Sequence, residues 1–244
     1  MIPRYFVVAE SEHELQNPTS AEKLVLLGER LGLEPGSRVL DIASGRGGPA
    51  ILLAREFGCA VHGIEIAPEF HAAAVERATK AGLADRVSFE LTDGARATFE
   101  PESYDAALCL GASFVFGSLA DTVDALSPAV RAGGYAAVGE PFWRYLPLPE
   151  DYEDRRDPWT TLAGTVVVFE TAGLPVVSVI ASSEDDWDRY ETLHWRTAEQ
   201  WLARNPDDPD SAEIRAWHER GKRTYLRNGR ELVGWAIFVG WKRP

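Results

Sequence analysis

Apolar positions in the first 140 residues follow two alternating periods. Arg38 to Ile42, Ala60 to Glu65, Val87 to Leu91, Tyr104 to Leu110 and Tyr135 to Gly139 are short apolar runs rich in valine, leucine and isoleucine. Such runs predict strands covered on both faces. The stretches between them, from Gly48 to Phe57, Pro68 to Ala81 and Leu119 to Val130, carry helical spacing. Gly82 stops the second, and Gly133-Gly134 leads from the third into a strand. Upstream, Pro18-Thr19-Ser20-Ala21-Glu22 opens another helix, with Thr19 and Glu22 at capping-box spacing. Its Leu24, Leu27 and Leu31 share one face, and Gly32 ends it. Strand-helix alternation of this kind predicts an α/β fold with a parallel, doubly wound sheet.

The pattern changes after residue 140. All eight tryptophans lie beyond it. Pro149 to Asp157 reads as a charged loop, Pro158 to Thr171 as a helix stopped at Gly173, and Val176 to Ala181 as a sixth strand. Helical stretches follow at Asp188 to Arg204 and Pro209 to Leu226, and Leu232 to Trp241 is a last strand. No repeat or low-complexity linker divides the chain. The expectation is one domain over 1–244: a cap over 1–35, a cofactor scaffold over 36–140, and sheet completion with an aromatic-rich helical lid over 141–244.

Composition narrows the partners. A hydrophobic share of 45% suits a chain with a substantial core. A formal net charge of −13 repels nucleic acid and anionic membranes. Cys59 and Cys109 sit in or beside apolar runs, as buried reduced thiols do. With no signal peptide and no membrane-length apolar run, the cytoplasm is the expected compartment.

The most informative stretch is Val39-Leu40-Asp41-Ile42-Ala43-Ser44-Gly45-Arg46-Gly47-Gly48-Pro49-Ala50. An apolar strand runs through an acid into a glycine-rich loop and a helix, a junction where backbone N–H groups can approach a ligand closely. Glu65 ends the next strand, where a carboxylate can accept both hydroxyls of a ribose. Together they predict a nucleoside-bearing cofactor. The loop also fits the loose dinucleotide pattern. Against that stand Asp41 four residues before the first glycine, Pro49 in the first helical turn, and a second acid-glycine pair, Asp93-Gly94.

Five motifs in order resemble the class I S-adenosylmethionine (SAM)-dependent methyltransferases: Val39 to Gly48, Val61 to Glu65, Leu91 to Ala95, Tyr104 to Leu110 and Arg131 to Tyr135. One departure is Ala43, where many members carry glycine. The resemblance implies a Rossmann-like seven-stranded sheet, mostly parallel with an antiparallel last strand. It implies SAM as cofactor and S-adenosylhomocysteine (SAH) as product. Gly45, Gly47 and Gly48 would lie against its methionine part, with Asp41 positioning the loop or reaching the amino group through water. Glu65 would hold the ribose hydroxyls, with Ile66 under the adenine. Asp93 with Gly94 and Ala95 would read the adenine, and Leu110 and Gly111 would face the methionine amine. His13 to Ser20 resembles the cap of a bacterial group acting on small molecules, and Tyr5 and Phe6 could pack on that cap.

Methyl transfer is an in-line displacement, so positioning and water exclusion supply much of the rate, and a base is needed only for a protonated acceptor. Glu140, at the carboxyl end of the fifth strand, and His13, in the cap, are the candidate bases. Phe142, Trp143, Tyr190, His194 and Trp195 are expected to line a substrate pocket, with Trp187 and Trp201 as further candidates. Arg46 could touch the cofactor carboxylate or simply be exposed. His62 reads as structural, and His71 and His218 as helix-surface residues. Asp185-Asp186 and Asp207-Asp208 read as solvated turns, and no spacing announces a metal. The predicted activity is methylation of O or N on a small organic molecule, by a monomer or homodimer. An aminopropyltransferase, a nicotinamide oxidoreductase and a non-catalytic SAM sensor are the competing readings. The strand-four end, Leu110 to Phe114, lacks the paired acids a polyamine would need.

Overall fold

The computed structural model describes residues 2–152 and 158–244. Helices α1 (Arg4–Glu10) and α2 (Ala21–Arg30) precede β1 (Arg38–Ile42), α3 (Gly48–Phe57), β2 (Ala60–Glu65), α4 (Pro68–Lys80), β3 (Val87–Leu91) and β4 (Tyr104–Leu110). Then come α5 (Leu119–Leu126), β5 (Val130–Trp143), α6 (Leu162–Thr171), β6 (Val176–Ala181), α7 (Glu184–Arg204), α8 (Ser211–Thr224) and β7 (Val233–Trp241). The strands form one seven-stranded sheet in the order β3-β2-β1-β4-β5-β7-β6. Neighbours from β3 to β5 pair in parallel, and β7 runs antiparallel to both β5 and β6. The antiparallel last strand is borne out.

Alternation along β1 builds two cores. Val39 packs on one face with Leu24 and Leu27 of α2 and Leu53 of α3. Leu40 and Ile42 pack on the other with Val123 of α5 and Phe169 of α6. The loops after β1, β2, β3 and β4 therefore converge on one carboxyl edge, and α1, α7 and α8 stand above it.

Several boundaries differ from expectation for identifiable reasons. Ser20, not Thr19, caps α2, its side chain accepting from the Lys23 amide. α5 stops at Leu126 because Pro128 sits in a following 3-10 turn. β5 is far longer than Tyr135 to Gly139. Its glycines stay in the strand because the Gly133 amide donates to the Lys242 carbonyl and the Lys242 amide to Gly134. α6 starts at Leu162, where the Thr161 side chain accepts from the Gly164 amide. Of the expected loop over 149–157, residues 153–157 lie outside the described residues. α7 begins four residues early because Ser183 and Asp186 form a reciprocal capping box. Asp186 is thus not a solvated turn residue. It is buried, pairs with Lys23 and Arg189, and is held down to about 2 against the cost of burial. Asp208, by contrast, sits in a turn and pairs with Arg4.

Candidate active site

The loop after β1 needs an unusual backbone. Ala43, Gly45 and Gly47 have φ of 57°, 55° and 75°, a region that costs a residue with a Cβ about 1 kcal/mol. Ala43 takes that conformation despite its Cβ. The loop is tied to β2: the Ser44 amide donates to the Ile64 carbonyl at 2.9 Å. Glu65 fixes two turns at once, accepting from the Gly45 amide at 2.8 Å and the Ala67 amide at 2.7 Å.

The glycines also admit the cap. A Cβ on Gly45 would strike the Gln16 side chain, one on Gly48 the Glu14 carbonyl, and one on Gly111 the Asn17 side chain. Gln16 accepts from the Arg46 amide at 2.6 Å, Arg46 Nε donates to the His13 carbonyl at 3.2 Å, and Asn17 donates to the Leu110 carbonyl at 3.0 Å. Arg46 therefore anchors the cap. Gly47 faces the core instead, against Phe89 and Ala74.

Asp41 is buried, and its Oδ2 has no hydrogen-bond partner among the described residues. Burial, with the nearby Glu65 charge, lifts its carboxyl to about 7. An unpaired carboxyl beneath a glycine loop, a Glu65 still able to accept, and an Ile66 that is 51% exposed suit a ligand with a cationic end, a diol and a flat ring. Asp93 accepts from the Ala95 amide at 3.0 Å and shapes that turn. Gly94 lies against Ile42 and Val115, with no room for a side chain.

The comparisons decide the family. The methyltransferase-domain family model matches residues 39–134. The uncharacterized protein YjhP of Escherichia coli K12 is 37% identical over 243 residues, 98% of each chain. A SAM-dependent methyltransferase from Geobacter sulfurreducens, solved with SAH, superposes with a TM-score of 0.92 at 38% identity over 99% of each chain. A counterpart from Thiobacillus denitrificans, also with SAH, gives 0.92 at 37% and the same coverage. The chain belongs to the class I SAM-dependent methyltransferases.

The methyltransferase has a cavity of about 600 Å³ between the carboxyl edge and the aromatic helices. Gln16, Asn17, Gly111 and Pro141 close one side, and Trp187, Tyr190, His194 and Trp195 of α7 and Trp217 of α8 close the other. Tyr5 and Phe6 also line it. Tyr190, His194 and Trp195 thus line this cavity.

Five expected site residues are elsewhere. Phe142 is buried in the sheet core with Gly234 opposite it, and Trp143 packs with Tyr152 and Trp159. The reason is the extra length of β5, which carries both residues into the ladder with β7. Glu140 is 7% exposed and does not line the cavity. Burial lifts its carboxyl to about 7, with the Ser113 hydroxyl pulling the other way. His13 is buried behind the wall. Its Nε2 meets the Tyr190 carbonyl at 3.1 Å, so that nitrogen carries the hydrogen. Trp201 packs with Val8 and Ile214 away from the cavity. His218 is 3% exposed rather than on the surface, and pairs with Glu199 at 3.1 Å.

Sequence spacing missed two groups. Glu10 is fully buried and takes Tyr190 Oη at 2.7 Å and His194 Nε2 at 2.8 Å on one carboxylate oxygen. Its other oxygen lies 3.7 Å from His13 Nδ1. Burial pushes the Glu10 carboxyl up, but His194, His13 and Tyr190 outweigh it and bring it below its ordinary value. The ligand atoms of Glu10, His13 and His194 lie within 4.8 Å of one another, a donor set chemically able to take a divalent cation. A separation of 184 residues between Glu10 and His194 hid this cluster from any local motif. The second is Glu191, which lines the cavity beside His194 and Trp195. Its signal was faint, one acid adjoining a tyrosine within a helical aromatic stripe.

Proposed function

We propose that the enzyme methylates an O or N atom of a small organic molecule held in the cavity under the aromatic helices. The observation that carries the reading is the cavity itself. About 600 Å³ suits a small ligand, and its walls join Gly111, at the end of β4, to the aromatic faces of α7 and α8. A net charge of −13 argues against a nucleic-acid substrate.

Glu65 and Ile66 would hold the nucleoside of SAM, Asp93 with Gly94 and Ala95 its adenine, and Leu110, Gly111 and the loop at Gly45 to Gly48 its methionine end. Asp41 would offer the amine a carboxylate. SAM supplies an electrophilic methyl group on a sulfonium. The chain's own work is to align the acceptor and exclude water. His194 (backed by Glu10), Glu191 and His218 are cavity-wall groups able to take a proton from an acceptor. Glu140 and His13 stand behind the wall.

The test is to incubate the protein with isotope-labelled methyl-SAM and a cell extract separated by molecular size. Label entering the low-mass fraction is expected. Label confined to RNA or protein, or absent from every fraction while SAH binds, would sink the reading.

A further inference from the structure

We infer that the methyl acceptor presents an ammonium group, recognised in the cavity by the Glu191 carboxylate and the aromatic faces around it; this rests on the small-molecule reading above. Three observations converge. First, no lysine or arginine pairs with Glu191 among the described residues. Burial raises its carboxyl, and only the neighbouring His194 and Trp195 act in the other direction. A cavity-wall carboxylate without a counter-ion is costly unless a cation is brought to it.

Second, the surrounding wall is aromatic. Trp187, Tyr190, Trp195, Trp217 and Trp235 line the same cavity. Their π-faces attract a cation and give an alcohol or a carboxylate no comparable gain. Third, the protein's own ammonium already uses this surface. Lys222 Nζ lies 5.1 Å from the Trp195 ring centroid, and Lys222 lines the cavity. The Lys222 side chain is exposed and tethered to α8. It shows that the aromatic wall accepts an ammonium, while Glu191 is left without one.

The chemistry is consistent with the cavity's groups. An ammonium has no free lone pair, so it must first give up a proton, and the Glu191 carboxylate is placed to take it. The nitrogen pair then forms the new N–C bond as the C–S bond breaks. The electrons of that bond stay on sulfur, which becomes the neutral thioether, and the positive charge passes to nitrogen. A hydroxyl acceptor would need no ion partner at Glu191. The Glu10-His194 pair would serve it alone.

The test is calorimetric, on the full-length protein saturated with SAH. Three probes of matched size are titrated: phenethylamine, phenethyl alcohol and 3-phenylpropionate, at a pH where the amine is charged. The amine is expected to bind at least about tenfold more tightly than the alcohol, and the carboxylate weakest. In Glu191→Gln the amine should lose that advantage while the alcohol is unchanged, and Glu191→Asp should keep part of it. SAH affinity and melting temperature of each variant show that it is folded. If Glu191→Gln does not fold, the wild-type rank order decides alone. Equal or tighter binding of the alcohol or the carboxylate, an amine preference that survives Glu191→Gln, or no binding of any probe to SAH-loaded protein overturns the inference. Failure of SAH itself to bind would instead overturn the methyltransferase site on which it rests.

Discussion

Asp41 shows at a single residue what a buried carboxyl without a counter-ion costs. Its folded value is about 7, against an ordinary 3.8. Between those values the folded chain keeps a proton that the unfolded chain has released. Stability therefore falls as pH rises from about 4 to 7, then levels off, by an amount on the order of 4 kcal/mol for a shift of this size. Glu140, lifted from 4.5 to about 7 by burial, acts in the same direction. Asp41→Asn removes the buried charge and keeps the shape. At pH 8 it should be more stable than the parent by about 2–4 kcal/mol in urea denaturation, with a flatter pH profile from 4 to 7. The same variant should bind SAH at least about tenfold more weakly, since the amine loses its carboxylate. A less stable Asp41→Asn protein at pH 8 would show that the carboxyl has a partner the fold depends on.

Single elements carry the contacts between cap, sheet and lid. The first turn of α7 is the clearest case, because Asp186 serves three partners there. It closes the capping box with Ser183, pairs with Lys23 of α2, and receives Arg189. Its value of about 2 lies below the ordinary 3.8. Its contribution is complete above about pH 4 and is lost as pH falls toward 2. Asp186→Ala should cost about 2–3 kcal/mol at neutral pH, with a difference from the parent that narrows on acidification. A constant difference down to pH 2 would assign the loss to packing instead. Strands β1, β2, β3, β4 and the helices between them were legible because local period and glycine stops decide them. The reach of β5, the start of α7 and the fate of Asp186 were not. The reach of β5 and the pairing of Asp186 are set by partners distant in sequence, Lys242 and Lys23, whereas the start of α7 is set by the reciprocal Ser183–Asp186 capping box. The misplacement of Phe142 and Trp143 follows from β5 alone, since two residues expected beyond the end of that strand lie within it.

Across the whole molecule, two long-range ties join the first half to the second. β7 enters the sheet between β5 and β6 and pairs with β5 from Tyr135 to Trp143. Above the sheet, Glu10 of α1 holds Tyr190 and His194 of α7, while Gln16 and Asn17 rest on the glycine loop and the end of β4. The loops at the carboxyl edge were readable from motifs, because each follows its strand directly in sequence. The cavity under the aromatic helices was readable only as an aromatic stripe, because α1, α7, α8 and β7 meet only in space. These ties make a cooperative prediction. Tryptophan is absent before residue 141, so fluorescence reports the lid and far strand, whereas far-ultraviolet circular dichroism reports helices of both halves. If cap, sheet and lid are one unit, the two probes should give the same urea midpoint. Glu10→Ala strips the hydrogen-bond acceptor from the buried His194 imidazole and the Tyr190 phenol and removes the carboxylate beside His13, and should cost about 3–5 kcal/mol. Both midpoints should then fall together, because loosening α1 from α7 loosens the cavity and the sheet edge beneath it. A fluorescence transition that falls while the dichroism midpoint holds would mean that the aromatic helices unfold by themselves, and that Glu10 fastens the cavity and not the fold.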